Sequence, residues 1–251
     1  MNTEALKDLL YKMADDQLIL GHRNSEWIGL GPILEEDIAF ASMAQDKVGQ
    51  SLALYELLEE LGEGTPDTIA FTRNAEAFHN CTFVELPIGE YDFSLIRHFL
   101  FDTADYIRFE LLSSSAYEPL QYLAAKYVGE TRYHIMHADM WIKQLGSANE
   151  ESIERLQEAL NFSMPYALGI FEHSKFETEL INDDIFQGED MLKSLWLEKL
   201  NEIISQTDLV LPDADTIDAK IGGRYGMHTE FLQPLLDEMS EVINLDPTAE
   251  W

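Results

Sequence analysis

Glu130-Thr131-Arg132-Tyr133-His134 is the stretch of this 251-residue chain that decides its fold. In helical bundles that bind two metal ions, Glu-x-x-His pairs supply ligands, because a spacing of three residues keeps a carboxylate and an imidazole on one helical face. Here Tyr133 stands three residues after Glu130. His134 comes one residue later, which rotates its side chain by roughly 100°. The stretch therefore has the form of a di-metal motif that has lost its imidazole.

Apolar side chains recur at three- and four-residue steps through almost the whole chain, which is typical of amphipathic helices. The repeat predicts long helices over about residues 6–20, 34–61, 93–113, 119–145 and 150–181, and shorter ones over 191–205 and 229–243. Pro165 lies inside the fifth of these helices and is expected to kink or split it. Residues 65–91 contain Pro66, Pro87 and Gly89, and we predict a long structured excursion there.

An up-down bundle of long helices, with additional helices toward the C-terminus, is the architecture that these elements predict. The sequence has no sustained alternation of the kind that indicates strands, so we predict an all-α protein. About 250 residues is enough to bury a sizeable core. The composition does not shift sharply at any point, so residues 1–251 are predicted to form a single domain.

The chain is strongly acidic, with 47 acidic and 16 basic side chains and a formal net charge of -31. Such a surface repels the phosphates of nucleic acids and anionic lipids, so neither is an expected partner. The acidity has two explanations that are compatible with each other: solubility or adaptation to salt, and a face matched to a basic protein partner. No secretory signal or membrane-spanning run is apparent, which predicts a cytoplasmic protein.

Four predicted helices each carry one carboxylate on an apolar or small-residue stripe that should face the bundle interior. These carboxylates are Asp16, Asp46, Asp102 and Glu130. Each could instead be solvated at the edge of its stripe. An ionised group inside a bundle costs free energy unless it is paired or bound to a metal. The candidate partners are Arg23, Lys47, Arg97, Arg108, Arg132, His98 and His134.

A di-iron centre would neutralise such carboxylates, but the required imidazoles are absent from the motif positions. Gly49 lies three residues after Asp46, and Tyr133 lies three residues after Glu130. We therefore predict no metal, cofactor-binding or catalytic residue in this chain, and interpret the six positions as a degenerate di-iron site. They are Asp16, Asp46, Gly49, Asp102, Glu130 and Tyr133. The spacing of Glu130, His134 and His137 leaves a different metal open as an alternative.

A family resemblance rests on six stretches of sequence and the last residue. They follow one another in order along nearly the whole chain. They are His22–Trp27, Leu34–Ala39, Gly49–Gln50, Gly62–Arg73, Glu130–His134, Gly222–Glu230 and Trp251. Through these stretches the chain resembles the C-type subunits of bacterial phenylacetyl-CoA epoxidase complexes. The resemblance implies a ferritin-like helical fold and a structural, non-catalytic role. Gly49 and Tyr133 agree with that role.

The same resemblance implies partners and cofactors outside this chain. The homologous A-type subunit is expected to hold the di-iron centre, and a reductase subunit is expected to hold flavin and an iron–sulfur cluster. Together they would epoxidise the aromatic ring during phenylacetate degradation. The alternatives are a free-standing di-metal carboxylate oxygenase with an atypical site and an unrelated helical interaction protein. An isolated chain could also form a homodimer.

A glycine-rich loop near the C-terminus is a candidate contact with such a partner. It includes Gly222, Gly223 and Arg224, and its glycines permit close backbone approach. A plain turn is the simpler interpretation. A cradle for the phosphates of coenzyme A is less favoured, since only Lys220 and Arg224 supply positive charge nearby.

Overall fold

Long antiparallel helices form most of this protein. The computed structural model describes residues 1–246, so Trp251, one of the positions behind the family resemblance, lies outside the described residues. Within the described range the helices are α1 (Thr3–Ser25), α2 (Leu34–Glu60), α3 (Pro66–Phe71), α4 (Thr82–Glu85), α5 (Tyr91–Leu112), α6 (Glu118–Leu145), α7 (Glu150–Leu168), α8 (Glu177–Asn182), α9 (Glu189–Ile204) and α10 (Leu232–Leu245).

The prediction of an all-α bundle is confirmed, since residues 1–246 contain helices and no strand. None of the helices over those residues is long and apolar enough to cross a membrane. Helix α1 packs along α2, and α5 packs along α6, while α7 and α9 cover α5 from outside. Side chains such as Leu6, Leu10 and Phe99 are fully buried between these helices. Each contributes about 1.5–3 kcal/mol through removal of apolar surface from water.

The excursion over residues 65–91 is structured, as predicted, and is fixed to α1 by buried polar contacts. Arg73 donates from Nη1 to Asp15 of α1 at 3.0 Å, and its guanidinium lies 3.9 Å from the ring centre of Phe78. The Tyr55 hydroxyl donates to the same carboxylate at 2.6 Å. Because charge-assisted hydrogen bonds are directional, they hold this irregular segment in one position on the bundle.

The helix predicted over residues 150–181, with a kink or split at Pro165, is divided in the structure, but the division comes after Leu168 and not at the proline. Pro165 lies within α7 without ending it. The break comes where the segment around Lys220 crosses the helix: the Lys220 N–H donates to the Pro165 carbonyl at 2.8 Å. At Gly169 a Cβ atom would lie only 2.1 Å from the Lys220 carbonyl oxygen. A contact made by a distant part of the sequence therefore ends this helix.

The glycine-rich loop passes into the fold instead of lying on its surface. Arg224 is 5% exposed, and its guanidinium donates to Asp16 of α1 at 2.8 Å and to the Ile170 carbonyl at 3.1 Å. A Cβ atom at Gly223 would lie 2.3 Å from the Asn80 carbonyl oxygen, so only glycine fits there.

The expectation that Gly222, Gly223 and Arg224 contact a partner stays a prediction. All three are buried against their own chain. The exposed apolar side chains of this loop belong to Ile221, Tyr225 and Met227 instead.

Replacement of Arg224 by Met should destabilise the protein by about 3–5 kcal/mol, because it leaves Asp16 as a buried charge without its cation. The matched control is Arg155→Met. The Arg155 side chain is 49% exposed and pairs with Asp92 at the surface, where such pairs contribute little. Urea unfolding monitored by circular dichroism measures both variants. Equal unfolding midpoints for the two variants would show that Arg224 does not anchor the C-terminal segment.

Candidate functional site

A buried cluster of charged side chains lies between the four long helices, with Asp102 of α5 at its centre. The Asp102 carboxylate is fully buried. Lys47 Nζ of α2 lies 2.7 Å from its Oδ1. His98 Nδ1 lies 2.7 Å from Oδ2, and His134 Nδ1 lies 3.0 Å from Oδ1. Burial alone would raise the pKa of Asp102, but the Lys47 charge and the two imidazoles hold that pKa well below its usual range.

Lys47 is fully buried and joins the cluster to α1. Its ammonium lies 3.6 Å from Asp105 and donates to the Gln17 side-chain oxygen at 3.3 Å. Gln17 in turn donates to Asp105 at 2.7 Å. Burial would lower the pKa of Lys47, but the charges of Asp102 and Asp105 raise it. Burial raises the pKa of Asp105, which Lys47 offsets only in part.

One arm of the cluster runs from Asp102 toward the surface through His134 of α6. His134 is fully buried, and its Nε2 lies 3.0 Å from Asp46 Oδ2. The Asp46 side chain is 34% exposed. Burial would lower the pKa of His134, but hydrogen bonds to Asp102 and Asp46 outweigh burial and raise it. Both ring nitrogens of this histidine therefore face carboxylates.

The other arm runs from Asp102 through two histidines that contact each other. His98 Nε2 lies 3.2 Å from His137 Nδ1, and His137 Nε2 lies 3.1 Å from Glu36 of α2. Glu36 also accepts from the Tyr91 hydroxyl at 2.6 Å and from the Trp141 indole at 2.8 Å. Burial would raise the pKa of Glu36, but the hydrogen bonds from His137 and Tyr91 lower it. Burial lowers the pKa of His98.

The four predicted inward carboxylates do not converge. Asp102 is central, and Asp46 lies at the edge of the same cluster. Asp16 is buried but faces the C-terminal loop, where it accepts from Arg224 and from the Cys81 N–H. Glu130 is 32% exposed and contacts Gln50 and, at 3.9 Å, Lys126.

The two motif positions that lack histidine also face outward. Gly49 is exposed, and no atom would lie within 4 Å of a Cβ there. Tyr133 is 44% exposed.

These residues do not fit a di-iron centre. Asp16 pairs with Arg224 outside the central cluster, and Glu130 lies at the edge of α6. A lysine ammonium, and not a metal ion, contacts the central carboxylate. Over residues 1–246 no group of three or more histidine, cysteine, aspartate or glutamate side chains has the arrangement of a metal site. The alternative metal site at Glu130, His134 and His137 does not form, since these three side chains make separate contacts.

Of the cations proposed as partners, Lys47, His98 and His134 do contact the central carboxylate, as the sequence allowed. Sequence reasoning missed Glu36 and Asp105. A signal for Asp105 exists in the sequence, because it follows Asp102 by three residues on the same helix and therefore shares its face. Nothing in the sequence separates Glu36 from its acidic neighbours Glu35 and Asp37.

Replacement of Lys47 by Met should destabilise the protein by about 3–5 kcal/mol, because it leaves Asp102 buried without its main counter-charge. Lys126→Met is the matched control: Lys126 is 64% exposed and pairs with Glu130 on the surface of the bundle. That variant should unfold at the wild-type urea concentration. A Lys47→Met protein as stable as the control would mean that the central cluster does not depend on the lysine.

Comparisons with known proteins agree with the family resemblance found in the sequence. A family model described as "Phenylacetic acid catabolic protein" matches residues 1–251. The chain is also similar to the C-type subunit of the 1,2-phenylacetyl-CoA epoxidase of Escherichia coli (strain K12), with 30% identity over 241 residues, which cover 96% of this chain and 96% of that protein. The chain therefore belongs to the phenylacetic acid catabolic protein family.

Proposed function

We propose that this chain is the structural, non-catalytic subunit of a phenylacetyl-CoA epoxidase complex that acts in aerobic phenylacetate degradation. The observation that carries the proposal is the match to the C-type epoxidase protein over 96% of both chains. The match has nearly the same extent in both proteins, so it covers the fold and not a short shared motif. We propose that the fold is ferritin-like and that residues 1–251 form one domain.

The non-catalytic role is supported by the chemistry of the central cluster. A buried ammonium at 2.7 Å from Asp102 supplies the positive charge that iron would otherwise supply to a carboxylate. Glu130 and Tyr133 are directed away from that carboxylate, so α6 contributes only His134 to its direct contacts. We propose that the ion pair and its imidazoles replace a metal centre as the tie between α2, α5 and α6.

The partner in this proposal is the homologous A-type catalytic subunit, together with the other subunits of the complex. Two helices offer a surface for it. Helices α2 and α6 expose large apolar side chains, which are Leu34, Ile38, Val48 and Leu52 on α2 and Tyr122, Tyr133, Met136 and Met140 on α6. Apolar surface of this kind is typical of permanent subunit interfaces. An isolated chain would form a homodimer through the same surface.

The proposal assigns no cofactor to this chain. The di-iron centre is expected in the A-type subunit, and flavin and iron–sulfur centres are expected in a reductase subunit. We place the assembly in the cytoplasm. The acidic surface, which disfavours nucleic acid and anionic membranes as partners, would face basic surfaces of the other subunits.

Co-expression with the A-type subunit from the same genome tests the proposal directly. A tag on this chain should retrieve the untagged partner at a constant ratio through size-exclusion chromatography. Iron analysis of this chain alone, purified from iron-rich medium, should give far less than one iron per chain. Two irons per chain would instead establish the free-standing oxygenase, and failure to retrieve the partner would favour an unrelated interaction protein.

In the assembled complex, Glu130→Gln should leave epoxidation of phenylacetyl-CoA within about twofold of wild type, because the polar contacts of Glu130 within residues 1–246 are those to Gln50 and Lys126 at the edge of α6. Turnover by product formation is measured together with the amount of assembled complex. A large loss of turnover in fully assembled Glu130→Gln complex would contradict the structural role.

A further inference from the structure

Six side chains from α2, α5 and α6 form one unbroken hydrogen-bonded chain across the bundle, which we name the carboxylate–imidazole chain. Five contacts of 2.7 to 3.2 Å join its members. In order along the chain they are Glu36, His137, His98, Asp102, His134 and Asp46. Carboxylates and imidazoles are therefore placed so that each contact needs one hydrogen.

His134 requires one proton more than a neutral imidazole carries. Its Nδ1 faces Asp102 and its Nε2 faces Asp46, each at 3.0 Å. An ionised carboxylate only accepts hydrogen bonds, and a neutral imidazole has one N–H. With an ionised carboxylate at each nitrogen, both contacts are satisfied only when an extra proton makes His134 an imidazolium.

The pair of His98 and His137 requires a second extra proton. The outer nitrogen of His98 faces Asp102, and the outer nitrogen of His137 faces Glu36. Each outer nitrogen therefore carries a hydrogen, and the inner nitrogens share one more at 3.2 Å. The two rings together hold three hydrogens, whereas two neutral imidazoles hold two.

The charges around the chain favour this loaded state. With both extra protons in place, the three carboxylates of the chain face two imidazolium charges and Lys47, which also lies 3.6 Å from Asp105. Unbalanced charge is costly in a buried site. Burial would lower the pKa of His134, but its two carboxylate partners raise it, which agrees with the proton count. Burial lowers the pKa of His98, so the second extra proton is inferred from the contact geometry of the His98 and His137 pair alone.

Other polar and titratable groups face the chain from each packed helix. Helix α1 contributes the neutral Gln17, and α2 contributes Lys47. Helix α5 contributes Asp105, whose pKa is raised by burial, and Tyr91 at its first turn. Helix α6 contributes Trp141, which donates to Glu36. None of these groups removes a hydrogen from the five contacts of the carboxylate–imidazole chain.

We propose that the carboxylate–imidazole chain is a buried proton store, a site whose ligands are two protons. Its one outlet is Asp46, whose side chain is 34% exposed between α2 and α6, whereas the Glu36 side chain at the other end is 4% exposed. Protons therefore enter and leave at the surface that α2 and α6 share. The proposal concerns the isolated chain and stands whether or not the protein belongs to an epoxidase complex.

Imidazole nitrogen NMR of the uniformly 15N-labelled full chain tests the store between pH 6 and 9. At pH 8, where free histidine with a pKa of about 6.5 is almost wholly neutral, His134 and one ring of the other pair should remain imidazolium. Signals are assigned with His134→Gln, His98→Gln and His137→Gln. Native protein in which all three rings are neutral at pH 8 would overturn the proposal.

The Asp46→Asn variant should turn His134 neutral at pH 8 and leave the second imidazolium in place, because an amide can donate to the freed ring nitrogen. Asp190→Asn is the matched control, since Asp190 faces His173 in an exposed pair at 3.0 Å. That control should leave the three buried rings unchanged. An imidazolium at His134 that persists in folded Asp46→Asn protein would contradict the assignment of Asp46 as the outlet.

A second readout needs no assigned signals. Unfolding in urea at pH 8 should release about two more protons from wild type than from a double variant with His98→Gln and His134→Gln, measured with a pH indicator in weak buffer. Because the pKa of His134 is raised in the folded state, the stability that its proton contributes is fully present below the unfolded pKa of about 6.5 and is lost as pH rises through the folded pKa. His134→Gln alone should release about one proton fewer than wild type, and equal release would count against the store.

Discussion

The buried ion pair between Lys47 and Asp102 is the interaction on which the centre of the bundle depends. It joins α2 to α5, and His134, which contacts Asp102, extends it to α6. Burial of an ion pair costs desolvation free energy, which is offset only when the geometry of the pair is good and further hydrogen bonds are made. Here both oxygens of Asp102 are engaged, so removal of any one partner leaves the rest of the cluster unbalanced. Specificity of helix position, more than net stability, is what such a cluster supplies.

Much of the fold could be predicted because helical periodicity depends on local sequence. The bounds of α2, α5 and α6 follow from apolar repeats and from Pro32, Gly62 and Gly146 near their ends. The end of α7 could not be predicted, since the segment at Lys220 crosses it from a distant part of the chain. The buried position of Arg224 has the same cause: its partners lie in α1 and beside residue 170.

The candidate site was predicted less well, for a reason of helical geometry. Steps of three and four residues on α6 allow two stripes that share Tyr127 and His134. The sequence suggested the stripe through Glu130, whereas the buried stripe passes through Thr131 and Ala138. The same ambiguity on α2 placed Asp46 inside, while its neighbour Lys47 is the buried residue. Polar residues on both stripes leave the choice to tertiary packing.

The positions of the basic side chains determine how much of the negative charge of this chain lies on its surface. Lys12, Lys47, Arg108 and Arg224 are all buried and paired with buried acids, so they do not offset the charge of the surface. The ratio of acidic to basic side chains is consequently higher on the outer surface than in the composition of the whole chain. Like charges on that surface repel one another and favour any partner that brings positive charge. Self-association through acidic faces is opposed by the same repulsion, which leaves the apolar side chains of α2 and α6 as the part of the surface best suited to burial against another protein.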